Sequence, residues 1–183
     1  GDKGGFPFVD EDRTIALVHA DGNGFGELLR RAREAVASEP EDFMKVFKTL
    51  SGEIQRTTET AVQQAVSEVL VPNQDQAGIV PDRPVVVGGD DLTFLVRADL
   101  ALPFLGAFVS AFESASRRAM KKLRKTGIEG LPEKLTVGAG LVYMRASQPF
   151  HMALDLVEDL IQRAKRDARA SAEGPSVSSV VFH

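Results

Sequence analysis

The sequence predicts an α+β fold: a βαββαβ core with an antiparallel sheet and helices on one face, one extra helix and a terminal strand. Three observations carry the prediction. Short β-branched apolar runs stand at Thr14–Ala20, Val85–Val87 and Leu92–Val96. Apolar residues recur at helical spacing in long intervening stretches. The two kinds of segment alternate in an order that matches a split βαβ arrangement.

Thr14 to Ala20 (TIALVHA) stops at Asp21 and reads as a buried strand. Asp21-Gly22-Asn23-Gly24-Phe25-Gly26 follows, then a helix from about Glu27 to Ala37 that Pro40 punctuates. Phe43, Phe47, Leu50, Ile54, Ala61, Ala65 and Val69 fall on one face of a long amphipathic helix. Residues 71–84 hold three prolines and a glycine and read as a loop. Val85–Val87 and Leu92–Val96 flank the turn Gly88-Gly89-Asp90-Asp91, the pattern of a β-hairpin. Leu105, Phe108, Val109, Phe112, Ala119 and Leu123 give a further helix face. A strand from about Leu135 to Met144, a helix carrying Leu156, Val157, Leu160, Ile161 and Ala164, and a strand from Val177 to Phe182 complete the order. The whole reads as one ferredoxin-like domain over 1–183, with 1–12 as an N-terminal extension.

Composition narrows the function. The chain has 183 residues, 43% of them hydrophobic, which suits one soluble domain. A net charge of −4 gives no general electrostatic grip on nucleic acid, so no nucleic-acid contact is expected from this chain. The absence of cysteine removes disulfides, thiol catalysis and zinc–thiolate sites. His19, His151 and His183 form no metal-binding pair. No apolar run approaches the roughly 20 residues of a membrane span, and no signal peptide is visible, so a cytoplasmic setting is expected. The start at Gly1 and the apolar end suggest an excised domain or a very small protein.

The chemistry concentrates in carboxylates. Adjacent Asp90 and Asp91 repel each other at one turn, and a divalent cation such as Mg²⁺ relieves that repulsion through hard oxygen ligands. Gly88 and Gly89 let a phosphate approach the main chain. Asp21 ends the first strand, which neighbours the hairpin in a βαββαβ sheet. Three converging carboxylates make a two-metal site in which one ion activates a hydroxyl and the other braces a triphosphate. Gly and Asp are also ordinary turn residues, and Asp21 is also a suitable helix N-cap.

Asp21 to Gly26 is neither a dinucleotide fingerprint nor an EF-hand. Its glycines are spaced Gly-x-Gly-x-Gly, and Ala32 stands where a calcium loop needs glutamate. Gly22, Asn23, Gly24, Phe25 and Gly26 remain as a donor-rich turn at a helix N-terminus, a seat for phosphate. Lys165 follows Ala164 at the edge of the last apolar stripe, placed to reach a β- or γ-phosphate as a point charge. It belongs to a basic group with Arg163, Arg166 and Arg169. A second group, Arg117, Arg118, Lys121, Lys122, Arg124 and Lys125, reads as a solvated helix end. His19 shares the strand face of Asp21 and reads as a hydrogen-bonded core histidine.

In their order, ALVHADGNGFG, VVVGGDDLTFLV, TVGAGLVY and IQRAKR resemble the palm of CRISPR-associated polymerases, over about Thr14 to His183. That group includes the large catalytic subunit of type III effector complexes and the stand-alone minimal CRISPR polymerases, relatives of GGDEF diguanylate cyclases. The resemblance implies that a ribose hydroxyl attacks an α-phosphate and pyrophosphate leaves, with ATP becoming a cyclic oligoadenylate messenger of antiviral defence. It implies Asp21, Asp90 and the Gly22 carbonyl as ligands of Mg²⁺ or Mn²⁺ (two ions), with Asp91 as a second carboxylate beside them. It further implies Gly88 and Gly89 as room for substrate and Lys165 on the triphosphate. Glu27-Leu28-Leu29-Arg30-Arg31 lacks the Asn-Asp pair of diguanylate cyclases, which argues against GTP. These 183 residues hold neither the nuclease domain nor the zinc-binding cysteines of many full-length type III subunits, so DNA cleavage is not expected of this chain. Joining two triphosphates calls for a homodimer or a second palm, and Phe104, Phe108 and Phe112 are candidates for contacts or for core. A catalytically silent palm that senses nucleotide or serves assembly is the rival reading.

Overall fold

The computed structural model describes residues 13–35, 40–125, 130–170 and 177–183, with the backbone alone for 35, 40–42 and 167–170. The expected extension over 1–12 and the helix end at Ala37 lie outside these residues. Strands β1 (Thr14–Gly22), β2 (Asp82–Gly88), β3 (Asp91–Arg97), β4 (Val137–Arg145) and β5 (Ser179–Phe182) form one sheet in the order β2-β3-β1-β4-β5. Helices α1 (Phe25–Ala35) and α2 (Pro40–Ala65) follow β1, α3 (Ala98–Arg124) joins β3 to β4, and α4 (Phe150–Ala170) joins β4 to β5.

The first four strands are antiparallel neighbours, the ferredoxin-like βαββαβ arrangement that the segment order predicts. β5 is the addition: it runs parallel to β4, which the long α4 crossover permits.

Alternation along the strands builds two cores. Ala16, Val18 and Ala20, with Leu92, Phe94, Val96, Val137, Ala139 and Leu141, pack on α1, α2 and α3. Ile15, Leu17, Val142 and Met144 point the other way, onto Ala153, Val157 and Leu160 of α4. Helices on one face therefore describes α1–α3, whereas α4 covers the opposite face. The reason is the apolar residues on both sides of β1, which leave neither face to water.

Phe104, Phe108 and Phe112 are fully buried on α3, so their use is core packing and not contact with another chain. α3 is long and apolar enough to cross a membrane by length and composition, and it lies against α2 and the sheet with half of its most apolar window buried. It begins seven residues before Leu105 and carries Pro103 in its second turn. Burial of Leu100, Ala101 and Phe104 there outweighs the one hydrogen bond that proline removes. The expected loop 71–84 is shorter. Residues 66–70 continue α2 as a π turn and 71–73 as a 3₁₀ turn, because Pro72 cannot donate to the helix ladder. At its other end, β2 starts at Asp82.

Candidate active site

Register fixes the site. Asp21 at the end of β1 pairs with Asp91 at the start of β3 on one side and with Gly138 of β4 on the other. His19 pairs likewise with Thr93 and Gly140. These residues occupy the face of the sheet that α4 covers. The β2–β3 turn sits at the same end, so Asp90 joins them.

Asp21, Asp90 and Asp91, each partly buried, offer carboxylate oxygens within 4.8 Å of one another. The charges disfavour one another in that space. Burial, then the Asp21 charge and the Asp91 charge, push the Asp90 carboxyl up to about 6. Burial and Asp21 raise Asp91 too, opposed by His19 and Lys165. Two carboxyls, Asp90 and Asp91, that resist ionisation when alone fit a divalent cation, whose charge reverses the penalty. Three hard oxygen donors suit Mg²⁺ or Mn²⁺.

The backbone around the cluster is tied down. Gly22 N–H donates to the Asp90 carbonyl at 3.2 Å, and Asn23 N–H to the Thr136 carbonyl at 2.8 Å. Gly22 is glycine because a Cβ there would stand 2.8 Å from the Asp90 Cβ. Gly89 takes φ +60, which turns the chain between β2 and β3.

Lys165 comes from α4, and its Nζ donates to Asp21 Oδ2 and, at 3.4 Å, to the Gly22 carbonyl. Only 15% of its side chain is exposed. Its stem crosses β4 at Gly138, where a Cβ would come within 2.7 Å of Lys165 Cγ. The inward course expected for Lys165 is therefore observed.

The remaining expected residues divide. Gly22 lies against the carboxylates. Gly88 and Gly89 have open space on the side where a Cβ would stand. Gly24, with φ +76, leads into Phe25 and Gly26 at the start of α1, and its carbonyl accepts from Leu28 N–H at 3.0 Å. Asn23 turns its amide inward to Thr136 Oγ1 at 3.1 Å, and Phe25 packs on the core. His19 is hydrogen-bonded as expected, its Nδ1 lying 2.9 Å from the Leu92 carbonyl and 2.8 Å from Thr93 Oγ1.

Of the basic helix end, Lys122 meets Glu53 at 2.6 Å, Arg117 meets Glu133 at 3.2 Å, and Arg124 donates to the Leu131 and Pro132 carbonyls. It is an internally bridged, solvated face. The Arg169 side chain lies outside the described ones.

Sequence reasoning missed Thr58, Thr136 and Gly138. Thr58 of α2 is fully buried and donates to the Gly89 carbonyl at 2.7 Å. Its contact spans 31 positions and that of Asn23 with Thr136 spans 113, so no local pattern marks either.

Comparison with known proteins gives the family and the fold. The family model for the Cas10/Cmr2 second palm domain matches residues 14–172. No curated protein matches the chain. Among solved structures, a Csm1–Csm4 cassette in complex with AMPPNP aligns with TM-score 0.59 at 16% identity, covering 91% of this chain and 22% of that one. A cassette in complex with cA4 gives 0.58 at 14%, covering 84% and 20%. Csm1 of T. onnurineus gives 0.55 at 17%, covering 85% and 20%. The chain thus spans about a fifth of the length of the structures it resembles.

Proposed function

We propose that this chain, which belongs to the Cas10/Cmr2 second palm domain family, is a metal-dependent nucleotidyl transferase that converts ATP to a cyclic oligonucleotide in CRISPR-type antiviral defence. The observation that carries the reading is the convergence of Asp21, Asp90 and Asp91 at one end of two adjacent strands, with Lys165 beside them. Adenine is the favoured base because the similar structures carry AMPPNP and cA4.

In this reading a ribose hydroxyl forms a bond to an α-phosphorus while the bond to the pyrophosphate oxygen breaks. Bound Mg²⁺ or Mn²⁺ supplies the acidity of that hydroxyl and the charge that steadies the leaving pyrophosphate. Asp21 and Asp90, helped by the Gly22 carbonyl, hold the ions, and Asp91 adds a second carboxylate. The open side of Gly88 and Gly89 admits the substrate close to the main chain. The turn from Asn23 to Gly26, in which Asn23 N–H is taken by the Thr136 carbonyl, presents the N–H groups of Gly24, Phe25 and Gly26 and the positive end of α1 to phosphate. Lys165, nearly buried and held across Gly138, supplies a localised positive charge to the triphosphate.

A cyclic product needs two triphosphates side by side, so the active unit includes a second copy or a second palm. The cytoplasm, which supplies ATP and Mg²⁺, is the expected setting. The test incubates the protein with each of the four nucleoside triphosphates and Mn²⁺ and identifies products by mass spectrometry. A cyclic adenylate made by the native chain and lost in Asp90→Asn/Asp91→Asn is expected. Metal-dependent ATP binding without any product, even with a second palm supplied, would favour the silent sensor.

A further inference from the structure

Asp90 is gripped through both of the peptide groups that flank it. Its own carbonyl accepts from Gly22 N–H at 3.2 Å, as the strand end requires. The preceding carbonyl, that of Gly89, accepts from Thr58 Oγ1 at 2.7 Å. The second bond is unlike the first, because it comes from a helix side chain on the opposite side of the sheet from α4.

Thr58 is fully buried, and its hydroxyl is used in an uncommon way. A helical threonine usually bonds back to the carbonyl four residues earlier. Its neighbour Thr57 does so, donating to the Glu53 carbonyl at 2.8 Å. Thr58 instead sends its proton out of α2 to a turn 31 positions away. The accepting residue has φ +60, so the turn departs from strand geometry at the point where the bond is made. The Gly89 carbonyl and the Asp90 N–H share one peptide plane. With that plane held by Thr58 and the following one held by Gly22 N–H, the Cα–Cβ bond of Asp90, from which the carboxylate hangs, is held from both sides.

We propose that Thr58 is a positioning residue for the metal site: through the Gly89 carbonyl it sets the orientation of Asp90 and hence the affinity for the divalent ion. The inference rests on the metal-site reading above and extends it to α2. Groups that orient metal ligands from behind typically change metal affinity 10- to 100-fold when removed. Valine at 58 keeps the shape of threonine and deletes only the donor.

The experiment titrates Mn²⁺ into the 183-residue protein, reading free ion by electron paramagnetic resonance. Wild type, Thr58→Val, Thr58→Ser, Thr57→Val and Asp90→Asn are compared, with Tm measured for each. Thr58→Val is expected to weaken Mn²⁺ binding at least tenfold, Thr58→Ser to restore it to within about threefold, and Thr57→Val to leave it unchanged. Amide exchange at Asp90 is expected to quicken in Thr58→Val. Thr58→Ala replaces the valine variant if that one does not fold. Wild-type affinity in both hydroxyl-free variants, with Asp90→Asn weakened, would overturn the role of Thr58 and leave the metal site standing. Equal Mn²⁺ binding by wild type and Asp90→Asn would remove the metal site, and the proposal with it.

Discussion

Lys165 reaches Asp21 by passing over Gly138, whose missing Cβ is what leaves room for the lysine stem. A methyl at 138 would stand 2.7 Å from Lys165 Cγ, so Gly138→Ala turns the stem aside. The expected cost is about 1–3 kcal/mol in stability, together with weaker ATP binding. Gly140→Ala is expected to cost more, because its methyl meets the Val157 carbonyl at 2.8 Å, and backbone yields less than a side chain. Denaturant titration of both variants ranks them, and a reversed order would contradict the packing described.

Lys165→Met keeps the buried stem and removes the charge. ATP affinity is expected to fall about 10- to 100-fold, the worth of one hydrogen bond to a charged group. The fold is expected to persist, since the stem still covers Gly138. Calorimetry with ATP and Mg²⁺ reads the loss, and unchanged affinity would take Lys165 out of the site.

The acid behaviour of Asp90 has a definite sign. Its folded carboxyl titrates at about 6 against an ordinary 3.8, so the folded chain holds that proton more tightly than the unfolded one. Without metal, the resulting stability is fully present below pH about 3.8 and is lost as pH rises through about 6. Asp91 shifts in the same direction. Asp90→Asn is therefore expected to be more stable than wild type at pH 7 in chelator, by about 1 kcal/mol after solvent screening of a partly exposed group. The gain shrinks toward pH 4. Mg²⁺ is expected to stabilise wild type and not the variant, and thermal melts across pH 4–7 with and without the ion measure both.

The core predicts larger effects. Phe108 is fully buried on α3 and its ring centroid lies 5.9 Å from that of Phe112. Phe108→Ala is expected to cost about 3–5 kcal/mol. Glu53 is buried while its partners Lys122 and Arg56 are exposed, so Glu53→Gln keeps an acceptor for both and removes only the charge, and is expected to cost about 1–3 kcal/mol. Equal losses would mean that the pairs made by Glu53 between α2 and α3 carry as much as an aromatic core side chain does.

The sheet and its helices were legible because burial imposes a period. Two-residue alternation in β1 separates Ala16, Val18 and Ala20 from Ile15 and Leu17, and the same alternation carries His19 and Asp21 to the face where Lys165 lies. The Gly88–Asp91 turn showed itself through two adjacent carboxylates that no stability argument favours. Lys165 was legible from its place after Ala164, at the edge of an apolar stripe.

Thr58 and Gly138 were not legible, because a threonine in a helix and a glycine in a strand acquire meaning only from partners far along the chain. The early start of α3 was hidden by Pro103, which punctuates a sequence more strongly than it disturbs a well-buried helix. The layer formed by α4 depends on which face β4 leaves uncovered, a property of the assembled sheet.

The most direct measurement is calorimetric titration of ATP into the protein with and without Mg²⁺, in wild type and in Asp90→Asn/Asp91→Asn. Binding that requires both the ion and the carboxylates is the predicted result. ATP affinity that is the same with chelator, or the same in the double variant, would contradict a metal-held nucleotide at Asp21, Asp90 and Asp91.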